Sequence, residues 1–217
     1  MSRSSAPDLA TERELFGAGN GLVAGCDEVG RGSLSGPVSV GMVVVDGTTG
    51  EPPAGLRDSK LLSPAKREAL VPGIESWSRC WAIGHASAAE IDEVGILRAL
   101  RLAGERALGC LAIRPTVILL DGSYDWFARP ERCAGSPTQI APAQVRLKVK
   151  GDLHCASVAA ASVMAKVTRD RLMVELAHKY PWYGWEANKG YGAPDHLAAL
   201  AERGACEEHR RSWNLRV

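Results

Sequence analysis

The stretch LVAGCDEVGRGSLSGPVSVGMVVVD occupies residues 22–46. Apolar and β-branched residues dominate its first part, Leu22 to Val29, and its last part, Pro37 to Asp46, and this pattern predicts two strands. The short segment between them is rich in glycine, which is typical of a tight connection. The two strands are therefore expected to pair as an antiparallel hairpin and to start a sheet.

Two acids stand near the end of the first strand. Asp27 and Glu28 are followed by Gly30-Arg31-Gly32, where a neutral turn would be the ordinary continuation. Carboxylates bind hard divalent cations, glycine lets the backbone approach a ligand closely, and arginine binds phosphate through paired donors. The stretch therefore indicates a metal-dependent site that acts on a phosphodiester.

The rest of the chain has the pattern of a mixed α/β domain. Ser63-Pro64 predicts a helix start, with serine as the N-cap and proline in the first turn, and Ser87 with Glu90 matches a capping box. Further strands are expected at 80–85, 116–120 and 144–150, and long helices at 96–110 and 156–179, with a short one at 194–202. This order suits a five-stranded mixed sheet flanked by helices.

Charge and length limit the possible functions. The 217 residues contain 26 Lys and Arg against 25 Asp and Glu, which gives a formal net charge of +1. A protein that binds nucleic acid through its overall charge would be far more basic, so a local basic patch is required. With 46% hydrophobic residues, the chain can form one domain with a substantial core.

The six cysteines are scattered along the chain and form no CxxC pair. This spacing argues against a zinc site and against a disulfide framework, and favours small buried side chains in a reducing compartment. Residues 1–20 do not resemble a signal peptide, and no stretch approaches the ~20 apolar residues that span a bilayer. A cytoplasmic protein without a membrane segment is expected.

Acids also follow two later strands of the predicted sheet: Asp121 after the strand at 116–120, and Asp152 after the strand at 144–150. Sites in open α/β sheets commonly form at strand ends, so these two acids are expected to meet Asp27 and Glu28 at one edge. Packed carboxylates repel one another. Two divalent ions about 4 Å apart relieve this repulsion and promote phosphodiester hydrolysis.

Seven short motifs resemble those of bacterial type 2 ribonucleases H (ribonuclease HII), and they occur in the family's order. They are CDEVGRG at 26–32 with GPV at 36–38, DSK at 58–60, LDG at 120–122, KGD at 150–152, AAAS at 159–162 followed by AKVTRD at 165–170, KGYG at 189–192, and HRRSW at 209–213. The resemblance covers almost the whole chain, and a chance match of this many ordered motifs is very improbable.

The resemblance implies an endonuclease of the ribonuclease H-like fold. It implies hydrolysis of the RNA strand of RNA–DNA hybrids and cutting at ribonucleotides embedded in duplex DNA, by a monomeric enzyme that uses two Mg²⁺ or Mn²⁺ ions and leaves 5′-phosphate and 3′-hydroxyl ends. The catalytic, metal-binding residues that it implies are Asp27, Glu28, Asp121 and Asp152. The substrate-binding residues that it implies are Gly30, Arg31, Gly32, Lys60, Lys189 and Tyr191.

Three segments are expected along the chain. They are a flexible N-terminus over 1–18, a ribonuclease H-like catalytic domain over 19–180, and a helical extension over 181–217 that packs on it. A long loop rich in Pro, Gly and Ser is expected at 122–142. The basic face of the strand at 144–150 suits either contact with a nucleic-acid backbone or protection of a sheet edge.

Some residues and functions have a second interpretation. Asp170, which lies between two arginines, is expected to be an ion-paired surface residue rather than the fourth metal ligand, and the aromatic residues at 182–185 are expected to pack. A transposase or junction resolvase relative would not need the 2′-hydroxyl, and a non-catalytic hybrid-binding module would lack at least one acid. The Gly-Arg-Gly turn, Tyr191 and the presence of all four acids favour the ribonuclease.

Overall fold

The computed structural model describes residues 6–127 and 144–215. The strands are β1 Leu22–Val29, β2 Val38–Asp46, β3 Cys80–Ala86, β4 Val117–Asp121 and β5 Gln144–Lys148. They form one five-stranded sheet in the order β3-β2-β1-β4-β5. The first three strands in this order pair antiparallel, and β4 pairs in parallel with both β1 and β5. The predicted hairpin and the predicted mixed sheet are confirmed.

Helices surround this sheet. They are α1 Ala10–Gly17, α2 Pro64–Trp77, α3 Ala88–Val94, α4 Ile96–Cys110, α5 Gly151–His154, α6 Ala156–Lys179, α7 Trp185–Asn188 and α8 Pro194–Arg203. The Ser63 side chain caps α2 and the predicted capping box is present at the start of α3. Short 3₁₀ turns occupy Ser59–Leu61 and Pro181–Tyr183.

The sheet carries an apolar core on each face, because successive side chains of a strand point to opposite sides. In β1, Val23 belongs to the core under α6, whereas Ala24 and Cys26 belong to the core under α4. The approach of α6 is close, since a Cβ on Gly25 would lie 2.1 Å from the carbonyl carbon of Ser157. The alanine-rich sequence of α6 therefore serves close packing on the sheet.

Residues 10–17 form α1 instead of the flexible segment expected from the sequence. Glu12 in this helix is 0% exposed. Its carboxylate accepts hydrogen bonds from the backbone N–H of Ser157 at 2.9 Å and from the Ser157 hydroxyl at 2.6 Å. The first N–H groups of a helix have no partner within it. Glu12 therefore caps α6 from a distant part of the chain, and this contact orders α1.

The C-terminal residues form a third, smaller core against α6. Tyr183 and Trp185 are 3% and 0% exposed, and they pack with Met173 of α6 and Leu200 of α8. Trp182 is 46% exposed. Two of the three aromatic residues therefore pack in a core, as predicted, and the third lies at the surface.

The edge strand β5 departs from the alternating pattern of its sequence. The strand ends at Lys148, and the apolar Leu147 and Val149 are 41% and 62% exposed. The alternating sequence therefore does not produce a buried apolar face here, because β5 is the last strand of the sheet and the described residues do not cover this face. Residues 128–142 of the predicted long loop lie outside the described residues.

Five cysteines lie within the described residues, and all five are free thiols. Cys26 and Cys155 are buried, Cys80 and Cys206 are partly buried, and Cys110 is exposed. Over the same part of the chain, no helix is both long enough and apolar enough to cross a membrane.

Glu12→Ala is expected to lower the melting temperature by several degrees. The substitution leaves the buried N–H and hydroxyl of Ser157 without an acceptor, which costs on the order of 1–3 kcal/mol. Glu14→Ala in the same helix is the matched control, because Glu14 is exposed. Thermal unfolding followed by circular dichroism measures both variants, and equal melting temperatures would contradict the capping role.

Candidate active site

The C-terminal ends of β1 and β4 lie side by side. The two strands are parallel, and their ladder pairs Cys26 with Leu120. Asp27 and Asp121 are the next residues of the two strands, so their side chains leave the same edge of the sheet on the same face. This register begins the assembly of acids that the sequence predicts.

Asp152 reaches this edge from α5. The backbone N–H of Gly151 donates a hydrogen bond to Oδ1 of Asp121 at 2.7 Å, which connects the start of α5 to the end of β4. Lys150 has a φ of 57°, and this left-handed residue redirects the chain from β5 into α5. Asp152 is 6% exposed, and its charge contributes to a raised pKa of the Asp121 carboxyl, second to burial.

Asp27 is 4% exposed. Burial raises the pKa of its carboxyl to about 8, a hydrogen bond with Ser162 opposes the shift, and the charges of Glu28 and Asp121 add to it. Burial also raises the pKa of Glu28, although the Arg31 guanidinium opposes this from 3.6 Å. The site therefore holds more negative charge than its surroundings stabilise.

Lys60 supplies positive charge to these acids. Its Nζ lies 3.2 Å from Oδ2 of Asp152 and 3.8 Å from Oδ1 of Asp58. Partial burial opposes the charged form, but three carboxylates, those of Asp27, Asp58 and Asp152, raise its pKa above the ordinary value. The Lys60 ammonium also opposes the rise in the pKa values of Glu28 and Asp121. All four acids therefore share one electrostatic neighbourhood.

The donor set fits a hard divalent cation. Carboxylate oxygens are the ligands that Mg²⁺ and Mn²⁺ prefer, and the raised pKa values of Asp27 and Glu28 indicate a place where a cation is stabilising. Across residues 6–127 and 144–215, no three His, Cys, Asp or Glu side chains are grouped closely enough to hold a metal by themselves. Water or substrate oxygens would have to complete the coordination, as is common for Mg²⁺.

Two of the predicted substrate-binding segments contact each other. We call residues 30–36 the glycine loop and residues 189–191 the tyrosine turn. The N–H groups of Leu34 and Ser35 both donate to the carbonyl of Gly190, at 2.9 and 3.3 Å. The glycine loop follows directly after β1, so this contact places the tyrosine turn beside the strand that carries Asp27 and Glu28.

The two glycines of Gly30-Arg31-Gly32 have different surroundings. A Cβ on Gly32 would meet nothing within 4 Å, whereas a Cβ on Gly30 would lie 2.2 Å from Nε of Arg169. Gly30 also has a φ of +82°, which side chains with a Cβ rarely adopt. Gly30 therefore serves the shape of the glycine loop, and Gly32 is the glycine that faces open space.

Tyr191 lies at the surface of the tyrosine turn and is 36% exposed. Its ring centroid lies 5.5 Å from the guanidinium carbon of Arg169 and 5.9 Å from Nζ of Lys166. Its backbone carbonyl accepts a hydrogen bond from Nδ1 of His196 at 2.8 Å. The ring is therefore accessible to solvent, while the hydrogen bond from His196 fixes the backbone of Tyr191.

Lys189 and Asp170 have partners other than the four acids. Nζ of Lys189 donates to the carbonyl of Glu186. Asp170 pairs with Lys166 at 2.7 Å and with Arg67 at 3.6 Å. Asp170 is therefore ion-paired, as expected, but with these two cations and not with the arginines that flank it in the sequence.

Three residues near these segments carry no role in the sequence analysis. Asp58 is 6% exposed, and its carboxylate contacts the ammonium of Lys60. Arg169 and Arg210 are 0% exposed. The sequence does contain a signal for Arg169, because it lies four residues from Ala165 and from Met173 on the buried stripe of α6.

The fold and its edge of carboxylates define a nuclease of the ribonuclease H-like class. The family model for Ribonuclease HII matches residues 24–216. The Ribonuclease HII of Streptomyces avermitilis is 45% identical over 208 residues, which cover 95% of this chain and 83% of that relative. The one from Paracoccus denitrificans is 46% identical over 208 residues, 95% of this chain and 91% of the relative. This chain belongs to the ribonuclease HII family.

Solved structures agree with this assignment. The crystal structure of the ribonuclease H2 from Pyrococcus horikoshii matches with a TM-score of 0.68 at 30% identity, over 89% of this chain and 94% of that one. As a member of the family, the chain is an endoribonuclease that acts on RNA–DNA hybrids. The predicted family, fold and enzyme class are confirmed.

Asp27→Asn is expected to stabilise the metal-free protein above neutral pH. The pKa of Asp27 is about 8 in the folded protein against an ordinary 3.8. A carboxyl whose pKa rises on folding contributes stability that is fully present below the unfolded pKa and is lost as the pH rises through the folded one. Asparagine cannot ionise, so this loss is absent.

Thermal unfolding in EDTA between about pH 4 and pH 9 measures the difference. The wild-type melting temperature should fall relative to that of the variant across this window. Two parallel profiles would show that Asp27 does not titrate in this way.

Proposed function

We propose that this enzyme cuts at single ribonucleotides embedded in duplex DNA as well as within long RNA–DNA hybrids, and leaves 5′-phosphate and 3′-hydroxyl ends. The main support is the contact between the glycine loop and the tyrosine turn, through the hydrogen bonds to the carbonyl of Gly190. These two segments, proposed to sense ribose, meet beside the strand that carries Asp27 and Glu28. A site that reads one ribose next to one phosphate requires this proximity.

The proposed catalytic and metal-binding residues are Asp27, Glu28, Asp121 and Asp152. Two Mg²⁺ or Mn²⁺ ions bound by them would act as Lewis acids on the phosphate and lower the pKa of the attacking water. The carboxylates hold this chemistry at a strand edge. Burial raises the pKa of Asp27, the charges of Glu28 and Asp121 add to this rise, and a bound cation would relieve their repulsion. The hydrogen bond from Gly151 holds Asp121 in one orientation.

Ribose recognition is proposed for Gly30, Arg31, Gly32 and Tyr191. The 2′-hydroxyl both donates and accepts hydrogen bonds. The open space at Gly32 lets a sugar approach the backbone, and the exposed ring of Tyr191 offers a hydroxyl and a flat apolar surface. Together these groups distinguish a ribose from a deoxyribose without reading the base.

Phosphate contacts are proposed for local cations, since the net charge of +1 gives no general attraction to nucleic acid. The side chains of Lys60 and Arg31 are 71% and 53% exposed, and both lie against acids of the site. Lys189 extends this set on the tyrosine turn. These cations would hold the backbone of the substrate close to the carboxylates.

The helical extension over 181–217 is proposed as part of the recognition surface of the catalytic domain over 19–180. It carries Tyr191, and its small core includes Met173 of α6. This packing keeps the tyrosine turn at a fixed place relative to the sheet.

Asp121→Asn is expected to nearly abolish cleavage of an RNA–DNA hybrid while the fold and hybrid binding persist. The substitution removes one charge from the metal-binding set, but leaves an oxygen to accept the N–H of Gly151. Cleavage in Mg²⁺, hybrid binding and circular dichroism measure the three properties. Wild-type turnover by the variant would exclude a role as a metal ligand.

Asp170→Asn is the matched control for this experiment, because Asp170 is paired with Lys166 and Arg67. It is expected to keep cleavage close to that of the wild type. EDTA should stop the native enzyme, and added Mg²⁺ or Mn²⁺ should restore it. Activity that persists in EDTA would contradict metal dependence.

Tyr191→Phe is expected to slow cleavage moderately, by on the order of 1–3 kcal/mol of transition-state stabilisation. It removes one hydroxyl and keeps the ring, whereas Tyr191→Ala also removes the surface against the sugar and should lose more. The rates on a DNA duplex with one ribonucleotide and on a long RNA–DNA hybrid are compared. The first substrate should suffer more, because it offers only one 2′-hydroxyl.

Tyr180→Phe is the control, since the hydroxyl of Tyr180 binds Glu207 at the surface. It should leave both rates unchanged. Equal losses on both substrates for the Tyr191 variants would indicate a general structural role, and the recognition role would then be withdrawn.

A further inference from the structure

Two buried arginines lie beneath the glycine loop: Arg169 of α6 and Arg210 of the C-terminal segment, each 0% exposed. Among the described residues, no carboxylate lies within salt-bridge distance of either guanidinium. Burial lowers the pKa of both, and the neighbouring charge of Arg169 helps to lower that of Arg210 to about 9. Buried cations are costly unless other polar groups satisfy them, so their partners are informative.

Arg169 contacts both segments that are proposed to read the ribose. Its guanidinium donates to the hydroxyl of Ser33 at 2.9 Å and to the carbonyls of Ser35 at 3.1 Å and Pro37 at 2.9 Å. It also donates to the carbonyl of Lys189 at 3.0 Å. One side chain therefore joins the glycine loop to the tyrosine turn, and the ring of Tyr191 lies 5.5 Å from its guanidinium carbon.

Arg210 binds the carbonyls at the two ends of the glycine loop. It donates to Gly30 at 2.6 Å, to Arg31 at 2.9 Å and to Gly36 at 3.1 Å. In a trans peptide, the N–H that follows a carbonyl points the opposite way. The N–H groups of Arg31 and Gly32 therefore point away from the buried guanidinium, on the exposed part of the loop.

The chemistry of these contacts requires arginine. Together the two guanidiniums satisfy seven acceptors, six of them backbone carbonyls. A guanidinium has five N–H donors in one plane, whereas an ammonium has three and a different geometry. All seven acceptors belong to the glycine loop, to the residue after it, or to the tyrosine turn.

From these contacts we infer that Arg169 and Arg210 are positioning residues that aim the amides of the glycine loop and the ring of Tyr191 at the ribose, and so set the preference for a single embedded ribonucleotide. The inference rests on the proposed ribose-reading role of these segments. Neither arginine touches substrate, because both are buried.

Arg169→Lys and Arg210→Lys test this role. Lysine has three N–H donors where arginine has five, so both substitutions lose carbonyl contacts. The ratio of kcat/KM on a duplex with one ribonucleotide to kcat/KM on a long RNA–DNA hybrid should fall by roughly tenfold. Leu100→Ala is the stability control, because Leu100 is buried in the core under α4. It should lower the melting temperature and leave the ratio unchanged.

Hydrogen exchange measures the position of the loop without substrate. The N–H groups of Leu34 and Gly36 bind the carbonyls of Gly190 and Glu208, and their protection should fall in both arginine variants but not in Leu100→Ala. Unchanged protection, or reduced protection with an unchanged ratio, would overturn the inference. If Arg169→Lys does not fold, Arg210→Lys carries the same test.

Tyr191→Ala, measured beside these variants, separates this inference from the proposed function. If Tyr191→Ala leaves the ratio unchanged, ribose reading by Tyr191 is wrong. If Tyr191→Ala lowers the ratio and the arginine variants do not, the proposed function stands and the positioning role is overturned.

Discussion

The repulsion between carboxylates that share one sheet edge is the constraint on which the site depends. Asp27 and Asp121 lie together because β1 and β4 are parallel and in register. Burial then raises the pKa of Asp27 to about 8. The ammonium of Lys60 contacts the carboxylate of Asp152, and the N–H of Gly151 donates to that of Asp121. These groups stabilise the charge only in part, which leaves the site suited to divalent cations.

The glycine loop is held by buried positive charge, whereas the neighbouring site consists of negative carboxylates. Two guanidiniums lie beneath it, and backbone carbonyls take the place of carboxylate partners. Asp27 and Glu28 are separated from the loop only by Val29. The residues proposed for catalysis and those proposed for recognition are therefore neighbours in the chain, but they are held by different contacts. Substitutions among the acids are therefore expected to change the rate of cleavage, and substitutions that affect the loop are expected to change the substrate preference.

Elements with a strong local pattern were predictable. The strand at Leu22–Val29 and the helices at Ile96–Cys110 and Ala156–Lys179 have the bounds that were predicted from the sequence. Helix α1 was not predictable, because its order depends on the contact of Glu12 with Ser157, which is 145 residues away. The hydrogen-bond partner of a polar side chain such as Glu12 cannot be identified from the neighbouring sequence, because the two residues meet only in the folded chain.

The sequence by itself determined the acids at the strand ends, the seven ordered motifs and the family that these identify. Only the tertiary structure decided which charged residues are buried and what they hold. Lys60 lies 92 residues from Asp152 in the chain, and Arg210 lies 180 residues from Gly30. Local patterns report the conformation of neighbouring residues, whereas such contacts arise only when packing of the sheet and helices brings distant segments together.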